Sequence, residues 1–184
     1  MPELPEVETL SRHLDTQLKA RSIDRVWVRQ PKLRWDVDIE ALKSLCQNSC
    51  IQRVRRRAKY LLFDVGGGRQ AQGIMMIHLG MSGSLSLGDN GRPQLKHEHV
   101  GWRFVDGEEM RFRDARRFGM VDCLTQEQEH THPRLAHLGV EPLLPYLGSR
   151  DFYHQTRGLK ISVKNFLMDA RRLVGVGNIY ASEA

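Results

Sequence analysis

The stretch RFVDGEEMRF, residues 103–112, decides the fold class. Arg103-Phe104-Val105 and Met110-Arg111-Phe112 alternate with a period of two, and Asp106-Gly107 between them is the strongest short hairpin signal a sequence carries. The same period runs outward in both directions, from about Ile51 to Thr125. Toward the amino terminus, residues 84–87 alternate, 74–79 form an apolar run, and 54–65 read as a strand broken by Gly66, Gly67 and Gly68. GDNGRP, residues 88–93, reads as a loop. Short strands separated by turns about every 8–12 residues predict a sandwich or barrel.

Helical patterning flanks this block. Leu4, Val7, Leu10, Leu14 and Leu18 form one apolar stripe, with Pro2 and Pro5 suited to a first turn and Glu3, Glu6 and Glu8 to the positive end of the dipole. A strand is expected at residues 23–29. A second helix follows, capped by Asp36 or Asp38 and carrying Ile39, Leu42, Leu45 and Cys46. Beyond Thr125, HPRLAHLGVEPLLP (132–145) reads as a short helical piece ended by Gly139 and Pro142, then a linker. Ser149 is expected to cap a helix that Gly158 closes, Ser162 to open another through Val163, Phe166 and Leu167, and Asn178 to cap a last one. That last pattern reaches Ala184 with no stop signal. The expectation is an α+β protein: an N-terminal β-sandwich flanked by helices over 1–147, then a helical domain over 148–184 that is cut before its end.

Composition narrows the function classes. Among 184 residues, 40% hydrophobic and 27% charged are ordinary globular values, which exclude disorder and collagen. No apolar run approaches about 18 residues, and MPELPEVE lacks the basic and apolar segments of a secretory signal, so a soluble intracellular protein with no membrane partner is expected. Cys46, Cys50 and Cys123 show no metal-ligand spacing and read as incidental thiols in a reducing compartment, with no metal site. The net charge is +6, with cations in three clusters: Arg53, Arg55, Arg56, Arg57 and Lys59; Arg111, Arg113, Arg116 and Arg117; Arg157, Lys160, Lys164, Arg171 and Arg172. Clustering of this kind predicts a surface that tracks phosphates.

Removal of Met1 would leave Pro2 as a secondary amine able to attack an aldehyde-like carbon and form an iminium. An α-amino group titrates near about 8, and neighbouring cations favour its free form. Pro2 is equally an ordinary residue of a helix start. Glu3 and Glu6, three apart, either complement the dipole or move protons beside that amine.

MPELPEVET, RRAKYLL (56–62), HLGMSGSL (78–85), RDARRFG (113–119), HLGVEPL (137–143) and VGVGNIYASE (174–183) occur in one order, and the chain resembles the bacterial formamidopyrimidine-DNA glycosylase (Fpg/MutM) family along its whole length. The opening and HLGMSG are closer to this branch than to its sister, endonuclease VIII. The resemblance implies a bifunctional glycosylase and abasic-site lyase of base-excision repair, a bacterial cytoplasmic, nucleoid-associated monomer acting on duplex DNA with oxidised purines (8-oxoguanine, formamidopyrimidines) or abasic sites. It implies Pro2 as the Schiff-base nucleophile at C1′, Glu3 as proton donor with Glu6 in support, and Lys59 in proton transfer during β-elimination and in phosphate contact. A lesion swung out of the helix leaves a gap. Met81, Arg116 and Phe118 match the family's intercalating triad, Phe118 as the apolar wedge and Arg116 toward the orphaned base. Periodicity alone would place Met81 and Phe118 in the core, whereas Gly80, Ser82 and Gly83 argue for a tight turn that exposes Met81.

His97 aligns with a DNA-contacting position, with His99 on the same face of a strand as its rival, and His78 reads as structural. Asn178 resembles the family's phosphate-binding asparagine at a helix N-terminus. Lys160 is a further DNA contact, although RGLKIS departs from the more basic family pattern. The family continues with the rest of a helix–two-turn–helix domain, a lesion-covering loop and a four-cysteine zinc finger, so no cofactor is expected within this chain and zinc is expected only in a longer protein. Two other outcomes stay open: a catalytically impaired DNA- or lesion-binding fragment, and an endonuclease VIII-like glycosylase of oxidised pyrimidines.

Overall fold

The computed structural model describes residues 2–67, 71–144 and 148–184. Among these residues, four strands form one half of the protein: β1 (Ser22–Val28), β5 (Gly83–Asp89), β6 (Glu98–Phe104) and β7 (Glu108–Asp114). β2 (Ser49–Arg57), β3 (Tyr60–Gly66), β4 (Gly73–His78) and β8 (Met120–Leu124) form the other. All eight join one antiparallel ladder in the order β5-β7-β6-β1-β2-β3-β4-β8. β1 and β2 share only the pairs Ser22↔Cys50 and Ile23↔Ser49, whereas every other neighbouring pair shares at least five. Residues of both halves meet in a single core, with Val54, Phe63 and Met75 from one and Val26, Trp102 and Phe112 from the other. The sandwich is thus one sheet folded at a narrow seam, within an α+β fold.

Two helices close the sandwich. α1 (Leu4–Leu18) buries Leu4, Val7, Leu14 and Leu18, each worth about 1.5–3 kcal/mol of transfer free energy. It starts at Leu4, so Pro5 lies in its first turn and Pro2 outside it. α2 (Ile39–Cys46) is capped by Asp38, whose carboxylate accepts from Ala41 N–H at 2.9 Å. The apolar run at 74–79 is explained by burial on both faces of β4: Met75 and Ile77 enter the main core, Ile74 and Met76 a second cluster under Leu135.

Several local expectations are corrected. Residues 54–65 belong to two strands joined at Ala58 and Lys59, with Arg57 opposite Tyr60. Ala58 takes a left-handed conformation (φ 52°) that no turn residue announces. Tertiary contacts hold it there: Glu141 accepts from Ala58 N–H at 2.7 Å, and Arg56 donates to its carbonyl at 2.9 Å. Gly68, expected to help break this strand, lies outside the described residues. The 103–112 hairpin closes through three residues, with Gly107 N–H donating to Phe104 O at 3.1 Å, not through a two-residue Asp-Gly turn. Residues 132–138 form turns in place of the expected helix. Gly139 N–H, which would continue them, donates instead to Ala170 O at 2.8 Å. The expected boundary at 147/148 and Pro145 adjoin or fall in 145–147, outside the described residues.

The remaining chain carries α3 (Ser149–Thr156), α4 (Val163–Met168) and α5 (Tyr180–Glu183). Gly148, not Ser149, is the cap of α3, while Ser162 caps α4 by accepting from Asn165 N–H at 3.2 Å. A parallel bridge between Val140 and Leu173 ties this segment to the sandwich. No helix among the described residues is long and apolar enough to cross a membrane.

Candidate nucleic-acid site

The amino terminus is held by a loop more than 170 residues away in sequence. Leu4 N–H donates to Gly175 O at 3.0 Å. The buried Glu3 carboxylate (2% exposed) accepts from Gly177 N–H at 2.7 Å, Ile179 N–H at 2.9 Å and Tyr180 N–H at 3.2 Å. The expected cap of the last helix, Asn178, is therefore corrected: Glu3 satisfies those donors, and the Asn178 side chain is exposed with no partner among the described residues. The glycines of VGVGN are the reason the two segments can touch. A Cβ at Gly177 would lie 2.4 Å from Glu3 Cδ, and one at Gly175 2.4 Å from Leu4 Cδ1.

Burial pushes the Glu3 carboxyl up, but the N–H groups of Ile179, Tyr180 and Gly177 and the nearby Lys59 charge outweigh it and hold the group below its ordinary value. Glu3 is thus an anion at neutral pH, and must take up a proton before it can donate one. Glu6 stands beside it, accepting Glu3 N–H at 2.8 Å and the Tyr180 hydroxyl at 3.2 Å. Lys59, at the β2–β3 turn, reaches Val176 O at 3.4 Å. Its burial lowers its pKa against the opposing pull of Glu3 and Glu6, which brings the free amine nearer to neutral pH. Glu3, Glu6 and Lys59 are thus brought together, and Pro2, half-buried, precedes Glu3 in the chain.

The same end of the sheet carries the second constellation. Tyr60, next to Lys59, packs against His78 at a tilt of 51° with 4.9 Å between ring centroids, and His78 leads into the loop with Met81. Met81 and Phe118 are 43% and 42% exposed, so neither is a core residue. Both line a cleft of about 690 Å³ together with Arg34, His78, Arg116 and Arg117. Arg116 lies over the Phe118 ring at 4.9 Å. Gly80, at φ 63°, lets the two loops meet backbone to backbone, since a Cβ there would stand 2.4 Å from the Phe118 carbonyl carbon.

His78 is the structural member of this set. Burial, Arg34 and Lys59 push it down to about 4, and its neutral Nδ1 accepts Gly80 N–H at 3.0 Å. His97 and His99 do not share a strand face: His97 precedes β6 with φ 69°, and the rings stand 6.3 Å apart. His99 is buried with Nε2 on Asp114 O at 2.7 Å, whereas half-buried His97 lies near Lys96, Arg113 and Arg117. Burial and these cations keep His97 below its ordinary value.

Asp114, which the sequence presents only inside RDARRFG, lies at the centre of both loops with 0% exposure. The signal was available, because Met110, Phe112 and Asp114 alternate along β7 onto one inward face.

The three cationic clusters are corrected only in part as a phosphate surface, since Arg53 and Arg157 are exposed while several others are paired. Arg55 pairs with Asp64 and Glu129, Arg56 with Glu8 and Glu141, Arg57 with Glu141, and Arg111 is buried between Glu98 and Glu109. Arg171 and Arg172 pair with Asp169, and Lys164 donates to Ser182 Oγ at 2.9 Å. Arg113, Arg116, Arg117 and Lys160 stay exposed, Lys160 without a partner among the described residues. Among those residues no group of three or more His, Cys, Asp or Glu is placed to hold a metal. Burial raises all three thiols, Cys46 to about 12.

The family model of the formamidopyrimidine-DNA glycosylase N-terminal domain matches residues 1–121. The chain belongs to this family. It is 46% identical to the formamidopyrimidine-DNA glycosylases of Magnetococcus marinus and Thiobacillus denitrificans, matching over 100% of its own length and over 66% and 65% of theirs. The chain thus spans about 65% of the length of these curated glycosylases. Among solved structures it is similar to the Lactococcus lactis Fpg in complex with an abasic site containing DNA, with a TM-score of 0.88 and 28% identity over 98% of this chain and 65% of that one. It is equally similar to MutM in complex with carbocyclic 8-oxo-G containing DNA, with a TM-score of 0.88 and 28% identity over 99% of this chain and 67% of that one.

Proposed function

We propose that this glycosylase-family chain carries the chemical centre of a bifunctional DNA glycosylase and abasic-site lyase that excises oxidised purines. One observation carries the proposal: Glu3, the chain neighbour of Pro2, and Lys59 are gathered at the end of the sheet that also exposes Met81 and Phe118 beside a cationic cleft. An amine nucleophile, two proton carriers and an apolar wedge on one surface suit an everted nucleotide. The names of the relatives and the DNA bound in the similar structures support the same reading.

The Pro2 nitrogen, freed by loss of Met1, bonds to C1′, and the C1′–base bond breaks with its electron pair leaving on the base, which is protonated. The nitrogen sheds its proton, the C1′–O4′ bond opens, and the nitrogen lone pair forms the iminium. Glu3, held ionised, takes the nitrogen's proton and delivers it to O4′. The iminium acidifies C2′–H. Lys59 assists removal of that proton, and the electron pair expels the 3′ phosphate by breaking C3′–O3′. Water then hydrolyses the imine and restores Pro2.

Met81 and Phe118 would fill the gap, Arg116 would face the unpaired base, and His97, Asn178 and Lys160 would contact phosphates. In this reading, residues 1–147 supply the chemistry and 148–184 belong to a helix–two-turn–helix DNA-binding domain, in a bacterial cytoplasmic protein working as a monomer at the nucleoid.

Borohydride trapping on abasic-site duplex tests the proposal. A covalent adduct that disappears when Pro2 is blocked is the expected result. Binding without an adduct would overturn the catalytic assignment in favour of a lesion-binding fragment, and excision of thymine glycol in preference to 8-oxoguanine would favour an endonuclease VIII-like specificity.

A further inference from the structure

The loops that carry Met81, Phe118 and His97 come from three separate places in the chain, and one buried residue touches all of them. The Asp114 carboxylate accepts from Ser82 Oγ at 2.6 Å, from Gly119 N–H at 2.7 Å and from Arg116 N–H at 3.3 Å. Its own N–H donates to His97 O at 3.0 Å. Arg116 N–H is also within 3.2 Å of Ser82 Oγ, so the two wedge loops share one polar joint. A buried carboxylate is costly unless its oxygens are paired, and here both are. Hydrogen bonds to an ionised acceptor are the strong ones, and they are strongest away from water.

We propose that Asp114 is a positioning residue that locks the Met81 and Arg116–Phe118 loops into a single rigid wedge and fixes His97 beside it. This rests on the DNA-lesion reading above for its consequence, not for its geometry. Separating stacked bases requires a wedge that does not yield: two loops free to move independently would spend contact energy on being ordered when DNA arrives. Asp114 itself touches no DNA in this account. Its effect should therefore appear only where a base stack must be opened.

Ser82→Ala cuts the joint from the Met81 side without emptying the core, and Asp114→Asn keeps the shape while removing the charge. Two measurements separate the outcomes. Trypsin cleavage after the exposed Arg116 and Arg117 should accelerate about tenfold in Ser82→Ala, although the substitution lies in another loop, because one bond to a charged group is lost. With abasic DNA, borohydride trapping on duplex should fall about tenfold or more through a weaker apparent Kd, while trapping on single-stranded abasic DNA, which needs no wedge, stays within about twofold. Unchanged trypsin cleavage in both variants, or equal losses on single and double strands, would overturn the joint. If the unsubstituted chain traps neither DNA, the Schiff-base reading fails and the proteolysis alone decides the joint.

Discussion

Glu3→Gln should undock the two ends of the chain. In the native arrangement Gly177 and Tyr180 donate to one carboxylate oxygen at 2.7 and 3.2 Å, and Ile179 to the other at 2.9 Å. An amide offers one acceptor oxygen and turns a donor toward the remaining N–H. Leaving one buried donor unpaired costs about 1–3 kcal/mol, and the surviving bonds lose about 1 kcal/mol in passing from charged to neutral acceptor. The sum is about 3 kcal/mol, equivalent to about a hundredfold in an opening equilibrium. Native-state amide exchange reads this directly: Leu4, Gly177, Ile179 and Tyr180 should exchange about a hundredfold faster while Phe63 in the core does not change. Lys59, which the Glu3 charge pulls upward, should titrate lower in the same variant. Gly177→Ala attacks the contact from the opposite side, because its Cβ would stand 2.4 Å from Glu3 Cδ and Oε1, and should free the same amides. Acceleration below about threefold in Glu3→Gln, under 1 kcal/mol, would refute the view that this carboxylate clasps the loop.

Acidification should destabilise the fold through His78, whose folded pKa is depressed from 6.5 to about 4 by burial, Arg34 and Lys59. A depressed value means stability complete above 6.5 and lost as pH falls toward about 4, up to about 3 kcal/mol in urea unfolding. His78→Phe should flatten that slope, and an unaltered slope would remove His78 as its source. Arg111→Met should cost about 3–5 kcal/mol in the same assay, because it strands the buried carboxylates of Glu98 and Glu109. A loss below about 1 kcal/mol would mean that this ion pair carries no structural weight.

What could be read in one dimension was whatever local periodicity or capping decides. The α1 stripe, the Asp38 and Ser162 caps, the 103–112 hairpin and the doubly buried β4 run all follow from neighbours within a few residues. The turn at Ala58 was hidden because distant Glu141 holds it in place of a turn residue. The arginines of 55–57 and Arg111 read as a free cationic surface because their carboxylate partners are mostly remote in sequence, or, for Glu109, two places along a strand buried on both faces. Exposure of Met81 was legible from the glycines around it, whereas that of Phe118 was implied only by the resemblance, since periodicity alone would have placed both inside.

On the proposed mechanism the clasp and the chemistry would draw on one carboxylate, and this sets a condition on that mechanism. Each proton that Glu3 takes up weakens its hold on Gly177, Ile179 and Tyr180, since a neutral carboxyl is the poorer acceptor. A Glu3 that stayed protonated would loosen the loop whose Val176 carbonyl also meets Lys59. On the proposed mechanism the proton is a passing one, received from the Pro2 nitrogen and surrendered to the opening sugar within the same encounter. The low pKa that the loop imposes on Glu3 favours rapid surrender. Dipole complementation and proton transfer, alternatives when only the sequence is considered, would on the proposed mechanism be two states of the same group.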